Sequence, residues 1–167
     1  MQEGDYPLFT ESRYGLCILN GGHIHIDLAD FQNAVDNLRK CNSDRNNASN
    51  NFEQILFSYH GELMEDDIYD DWLTIEREKY KIEYIACAFD YIGFLQELGD
   101  TDKTERVLLS ILDQDPINED ACYLLISLYI KANKKEKARL IYSSFERIMR
   151  DSIGTIPDIK LKSLLNE

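Results

Sequence analysis

Residues 14–27, YGLCILNGGHIHID, alternate apolar and polar positions around Asn20-Gly21-Gly22. Asn and Gly tolerate positive φ, so the stretch predicts a β-hairpin. A two-residue loop sets Leu16 and Ile18 opposite His23 and His25. A three-residue loop with Gly22 in the bulge position gathers Tyr14, Leu16, Ile18, Ile24 and Ile26 on one face, and is the register expected here. An isolated hairpin is marginal in water. This one needs either Leu28 and Phe31 beneath it or a second molecule along its open edge.

After Asp27 the period lengthens to about 3.6 residues. Leu28, Phe31, Val35 and Leu38 form a helical stripe that runs to about Cys41. Residues 42–51, NSDRNNASNN, read as a loop. Asn50 and Glu53 then resemble a capping pair for a helix carrying Phe52, Ile55, Leu56 and Tyr59, ended by His60-Gly61. Residues 62–71 are an acidic connector. From Asp71 to Leu98 one long helix is predicted, with Ile82, Ile85 and Phe89 on one side and Tyr84, Ala88, Tyr91, Leu95 and Leu98 on another. Apolar positions on so much of its circumference make it central.

The second half repeats itself. Residues 85–118 and 119–152 align without gaps at an offset of 34. Gly99 and Asn133 occupy the same position, the stop between two helices, where Gly and then Asn best accept a left-handed backbone. Leu95 matches Tyr129, Leu98 matches Ala132, Thr104 matches Ala138, Leu108 matches Tyr142 and Ile111 matches Phe145. Each copy is a helix pair that stacking alone can bury. The periodicity therefore predicts a mainly α architecture of antiparallel helix pairs, with an N-terminal tail and hairpin over residues 1–27 and a helical domain over 28–167.

With 167 residues, 18 Lys plus Arg and 31 Asp plus Glu, the formal charge is −13. That disfavours direct nucleic-acid contact, which needs clustered cations, and disfavours anionic membranes. The basic run at residues 131–139, KANKKEKAR, reads as a solvated helix face or, less simply, as a contact for an acidic partner. Cys17, Cys41, Cys87 and Cys122 form no Cys-x-x-Cys pair and read as apolar fillers in a reducing compartment. No apolar run approaches a membrane span or an export signal, so a cytoplasmic location is expected.

Candidate chemistry is sparse. His23 and His25 share a strand face but lack an evident third metal ligand. His60 reads as a turn residue. Glu65, Asp66, Asp67, Asp70 and Asp71 lack the ligand spacing and central Gly of a calcium loop. No nucleophile stands beside an oriented base, so no catalytic, cofactor or metal residues are assigned and the chain is not expected to be an enzyme. Trp72, Glu76, Arg77 and Tyr80 are the candidate anchor: Trp72 packing and Arg77 ion-pairing in a seam between the long helix and the N-terminal helices, or the same group meeting a partner.

The repeat resembles the tetratricopeptide repeat, with Tyr129, Ala138, Tyr142 and Phe145 at packing positions and Pro116 at the inter-repeat break. The resemblance implies a right-handed superhelix. Ile92 and Thr104 depart from the small residues preferred there, which implies looser contact in the first copy. A more extensive resemblance, over residues 14–165, is to the bacterial transcriptional activator domain of antibiotic-regulatory-protein type activators. It is carried by Tyr59-x-Gly61-x-Leu63, by Trp72 with Glu76-Arg77, by Asp115-Pro116-x-x-Glu119, and by Gly154 followed by Pro157. In that family the residues before the first helix end a winged helix, so residues 14–19 resemble the last strand of a wing. The resemblance implies a regulatory domain that orients a winged-helix DNA-binding domain and contacts RNA polymerase or another subunit. A homodimer is compatible with it. The alternative is a freestanding adaptor that binds a peptide in its concave groove.

Overall fold

The computed structural model describes residues 9–11, 17–19, 27–40, 45–59 and 71–165. They are mainly helical: strands β1 (Phe9–Glu11) and β2 (Cys17–Leu19) precede α1 (Asp27–Lys40), α2 (Arg45–Ser58), α3 (Asp71–Leu98), α4 (Thr101–Gln114), α5 (Glu119–Lys131), α6 (Lys135–Ile153) and α7 (Ile159–Leu164). From α1 to α6 each helix packs on its successor, and α7 folds back on α5.

The hairpin expected over residues 14–27 is not seen. Cys17–Leu19 pairs instead with the segment before it, in the antiparallel register Phe9↔Leu19, Thr10↔Ile18 and Glu11↔Cys17. The expected turn and return strand, with His23 and His25, lie outside the described residues. Three-residue strands carry almost no alternation, and a backbone edge accepts a partner from either side, so pattern alone did not reveal the pairing with Phe9–Glu11.

The expected loop at 42–51 is also mostly helix. α2 is already helical at Arg45, which places Asn50 inside the helix rather than at its cap. Asn is a poor helix former by only a fraction of a kcal/mol, and burial of Phe52 and Ile55 between α1 and α3 outweighs that. Tyr59, just past α2, stacks on Tyr84 at 4.4 Å.

α3 has the predicted limits and the predicted central place. Tyr80, Tyr84 and Cys87 close one core cluster with Phe31, Ala34, Val35 and Ile55. Farther along, Ala88, Tyr91, Ile92 and Leu95 enter a larger cluster with the cores of α4, α5 and α6. Two expected core positions are surface: Ile82 is 59% exposed and Leu98 57%. Ile82 belongs to neither cluster, and Leu98 sits at the open end of the helix, where its counterpart Ala132 is exposed as well.

The 34-residue repeat reproduces itself atom for atom at its turns. Gly99 and Asn133 take left-handed backbones, φ 71° and 58°. The Gly99 N–H donates to Gln96 O (3.2 Å) and the Asp100 N–H to Leu95 O (3.0 Å). In the second copy the Asn133 N–H donates to Ile130 O (2.9 Å) and the Lys134 N–H to Tyr129 O (2.8 Å). This is the paired bonding that closes a helix on a left-handed residue. Beneath these turns Leu95, Thr104, Leu108 and Ile111, and their counterparts Tyr129, Ala138 and Phe145, are buried, with Tyr142 partly so. Thr104, where a smaller residue was preferred, settles its hydroxyl by donating to Asp100 O at 2.7 Å. Pro116 stands exposed between α4 and α5. There the cap is Asn118, which accepts the Ala121 N–H at 3.0 Å and donates to Asp115 at 3.0 Å. Gly154 stops α6 at φ 69°, Pro157 is buried, and the Asp158 N–H donates to Glu119 at 2.9 Å, tying α7 to the start of α5.

Candidate interaction site

Side chains from α1 and the first half of α3 meet along a seam whose floor is aromatic and whose rim is charged. Tyr80 is buried with its ring edge-on to Phe31, centroids 6.1 Å apart. Its hydroxyl oxygen accepts from Gln32 Nε2 at 2.7 Å. One turn along, Arg39 Nη2 meets Glu83 Oε1 at 2.5 Å and also faces Asp36 at 3.8 Å. Lys79 donates to Glu76 at 3.2 Å and lies 5.4 Å from the Tyr80 ring centre. That carboxylate holds the Lys79 ammonium above its ordinary pKa. Pairs this open to solvent contribute little to stability, so the rim sets register while the rings carry the cohesion.

Beside the rim a groove of about 510 Å³ opens between α1, α2 and α3, lined by Val35, Leu38, Phe52, Ile82, Ala86 and Cys87 and crossed by Arg39 and Glu83. Ile75 and Ile82, 72% and 59% exposed, lie two helical turns apart on the outer side of α3. Burial, with Glu83 and Asp90 nearby, pushes the Cys87 thiol up to about 11. It is a packing group rather than a nucleophile.

Of the expected anchor, Tyr80 holds the seam, Glu76 joins its rim through Lys79, and Arg77 is half-buried and engaged. The Trp72 side chain lies outside the described residues. The seam also uses Gln32, Arg39, Lys79 and Glu83, which the sequence reading did not select. Their signal was spacing: Gln32, Asp36 and Arg39 recur on one face of α1, and Glu76, Lys79 and Glu83 on one face of α3.

A second polar junction binds α2, α3 and α4. Glu53 accepts from Tyr91 (3.1 Å) and from Lys103 (2.6 Å), and these partners, Lys103 first, hold its carboxyl below the usual range. Between repeats, Tyr129 donates to Glu105 at 2.8 Å while Lys137 lies 5.4 Å from its ring centre. Burial, then the Glu105 carboxylate, pushes the Tyr129 hydroxyl up to about 12.

Charge is divided unevenly along the chain. Residues 1–130 carry 9 Lys plus Arg against 26 Asp plus Glu, a net −17, whereas residues 131–167 carry 9 against 5, a net +4. Among the described residues no group of three metal-ligating side chains is assembled, and no helix is long and apolar enough to cross a membrane. His23, His25, His60 and the acidic residues 65–70 lie outside the described residues.

No curated protein matches the sequence. The family profile of the bacterial transcriptional activator domain matches residues 26–167. That span takes in every described helix, the seam and both repeats. It begins after residues 14–19, so the wing-like reading of that stretch falls outside it. The match covers most of the chain, and the chain belongs to the bacterial transcriptional activator domain family.

Proposed function

We propose that this domain is the non-catalytic docking module of a cytoplasmic transcriptional activator, orienting a winged-helix DNA-binding domain and contacting RNA polymerase or another subunit. Membership in the family supports the coarser statement, a regulatory domain of the transcriptional-activator type. The finer reading rests on one observation: the groove and rim between α1 and α3, with Ile75 and Ile82 exposed beside it, offer apolar area framed by both signs of charge. Such a framed patch is how protein surfaces combine affinity with a fixed register. The helix pairs then wind as a right-handed tetratricopeptide-like superhelix, which presents the long helix α3 to a neighbouring domain.

Two measurements test this. In gel-shift titrations on the promoter, the domain alone shows no sequence-specific complex, whereas tight, salt-sensitive, specific binding overturns the proposal. In co-purification with a bacterial RNA polymerase holoenzyme or a winged-helix domain in trans, the domain is retained on one of them and Ile82→Asp releases it. Retention on neither, or retention that Ile82→Asp leaves unchanged, refutes the assigned surface. A freestanding adaptor differs in that an extended peptide, not a folded domain, is the partner retained.

A further inference from the structure

A second cavity, of about 450 Å³, lies away from the seam at the tips of the two repeat hairpins. Its volume falls among those of small-molecule sites. One wall is the Gly99 turn with the first turn of α4, and the other is the C-terminal half of α5 with the turn after it. Leu95, Leu124 and Leu128 give an apolar floor, and both walls are fixed by the duplicated hydrogen bonds of the Gly99 and Asn133 turns.

The charges at the mouth are not equivalent. Asp100 is committed to the Lys103 N–H at 3.0 Å, and Glu105 to Tyr129 and to Lys137, 3.8 Å away. Asp102 stands in the first turn of α4 and Lys131 in the last turn of α5, each where its helix end favours its charge. Lys131 and Lys134 line the opposite wall and make no ion pair among the described residues. Apolar floor, hydroxyls at Thr101 and Ser127, and two ammonium groups without an ion pair among the described residues suit an amphipathic acid.

We propose that this cavity binds a small amphipathic acid, its carboxylate on Lys131 and Lys134 and its short aliphatic body on Leu95, Leu124 and Leu128. An occupant touches both repeats at once and so adds a chemical input to the angle between them. The site is separate from the α1–α3 groove, and its failure leaves the docking reading intact.

Octanoate and octylammonium are the probes, followed by calorimetric titration and by amide shifts in ¹⁵N-labelled protein. Octanoate binds with shifts centred on Gly99, Ser127 and Ala132, and octylammonium binds at least five-fold more weakly. Lys131→Ala with Lys134→Ala weakens octanoate at least five-fold, while Lys135→Ala, an exposed cation outside the cavity, does not. Unchanged helical circular dichroism establishes that the double variant is folded. Ser127→Leu, which fills the cavity, provides an independent block. Equal binding of the two probes, indifference to the lysine pair, or no binding of octanoate overturns the proposal.

Discussion

Gly99→Ala and Asn133→Ala test whether the two repeat turns are physically the same object. At Gly99, φ is 71° and an added Cβ meets nothing within 4 Å, so no neighbour has to move. The cost is then intrinsic: about 1–2 kcal/mol for an L-residue in the left-handed region. Ala also restricts the unfolded chain, which returns about 0.4–1 kcal/mol. Gly99→Ala therefore destabilises by about 0.5–1 kcal/mol. Asn133→Ala receives little of that return and costs about 1 kcal/mol, whereas Asn133→Gly stays within about 0.5 kcal/mol of the parent. For a domain of this size each kcal/mol lowers Tm by roughly 2–4 °C. Urea unfolding followed at 222 nm reads all three variants, with constant m-values as the check that only stability has changed. The reasoning fails if Gly99→Ala costs more than about 2.5 kcal/mol, which requires a clash the structure lacks. It fails also if Asn133→Ala is neutral.

Leu108→Ala, at a site with no exposed surface, costs about 2.7–5 kcal/mol. Because α3 enters both core clusters, the loss appears as one shifted thermal transition, and two resolved transitions contradict this. Glu53 has its folded pKa lowered, so its contribution is present above the ordinary carboxylate range and lost as pH falls through the folded value. Glu53→Gln flattens the acid limb of stability while costing less than about 1 kcal/mol at pH 7, since Glu53 and Lys103 are both about half exposed. Tyr80→Phe keeps the ring against Phe31 while the exposed Gln32 turns to water, for a loss of no more than about 1 kcal/mol in denaturant melts. Burial pushes the Cys87 and Cys122 thiols up to about 11 and 12, so iodoacetamide at pH 8 leaves both unlabelled in native protein and labels both in urea, as peptide mass spectrometry will show.

Where many residues agree, the fold was legible in advance. The limits of α3, the 34-residue offset and the equivalence of Gly99 with Asn133 each rest on periodicity or on a backbone requirement that few residues meet. Where few residues speak, it was not. Phe9–Glu11 is too short to show a period, and the asparagines ahead of Phe52 became helix because α1 and α3 bury the residues that follow them. The burial of Tyr80 against α1 was legible because a large amphipathic ring one turn past Glu76 has to face something. Arg39 and Glu83 were not, since their meeting depends on how two helices 44 residues apart are laid side by side. Pro116 stands at the expected break between α4 and α5 and is exposed there.

The 28 residues of α3 form a rod roughly 42 Å long, with one end clasped by the aromatic seam and the other inside the repeats. A rod held that way converts angle into travel. Tilting its seam end by about 5° carries the far tip through roughly 4 Å at that length, the scale at which packed elements slip from one arrangement to the next. A shift of α1 against α3 is thus carried along the helix toward the opposite end of the domain.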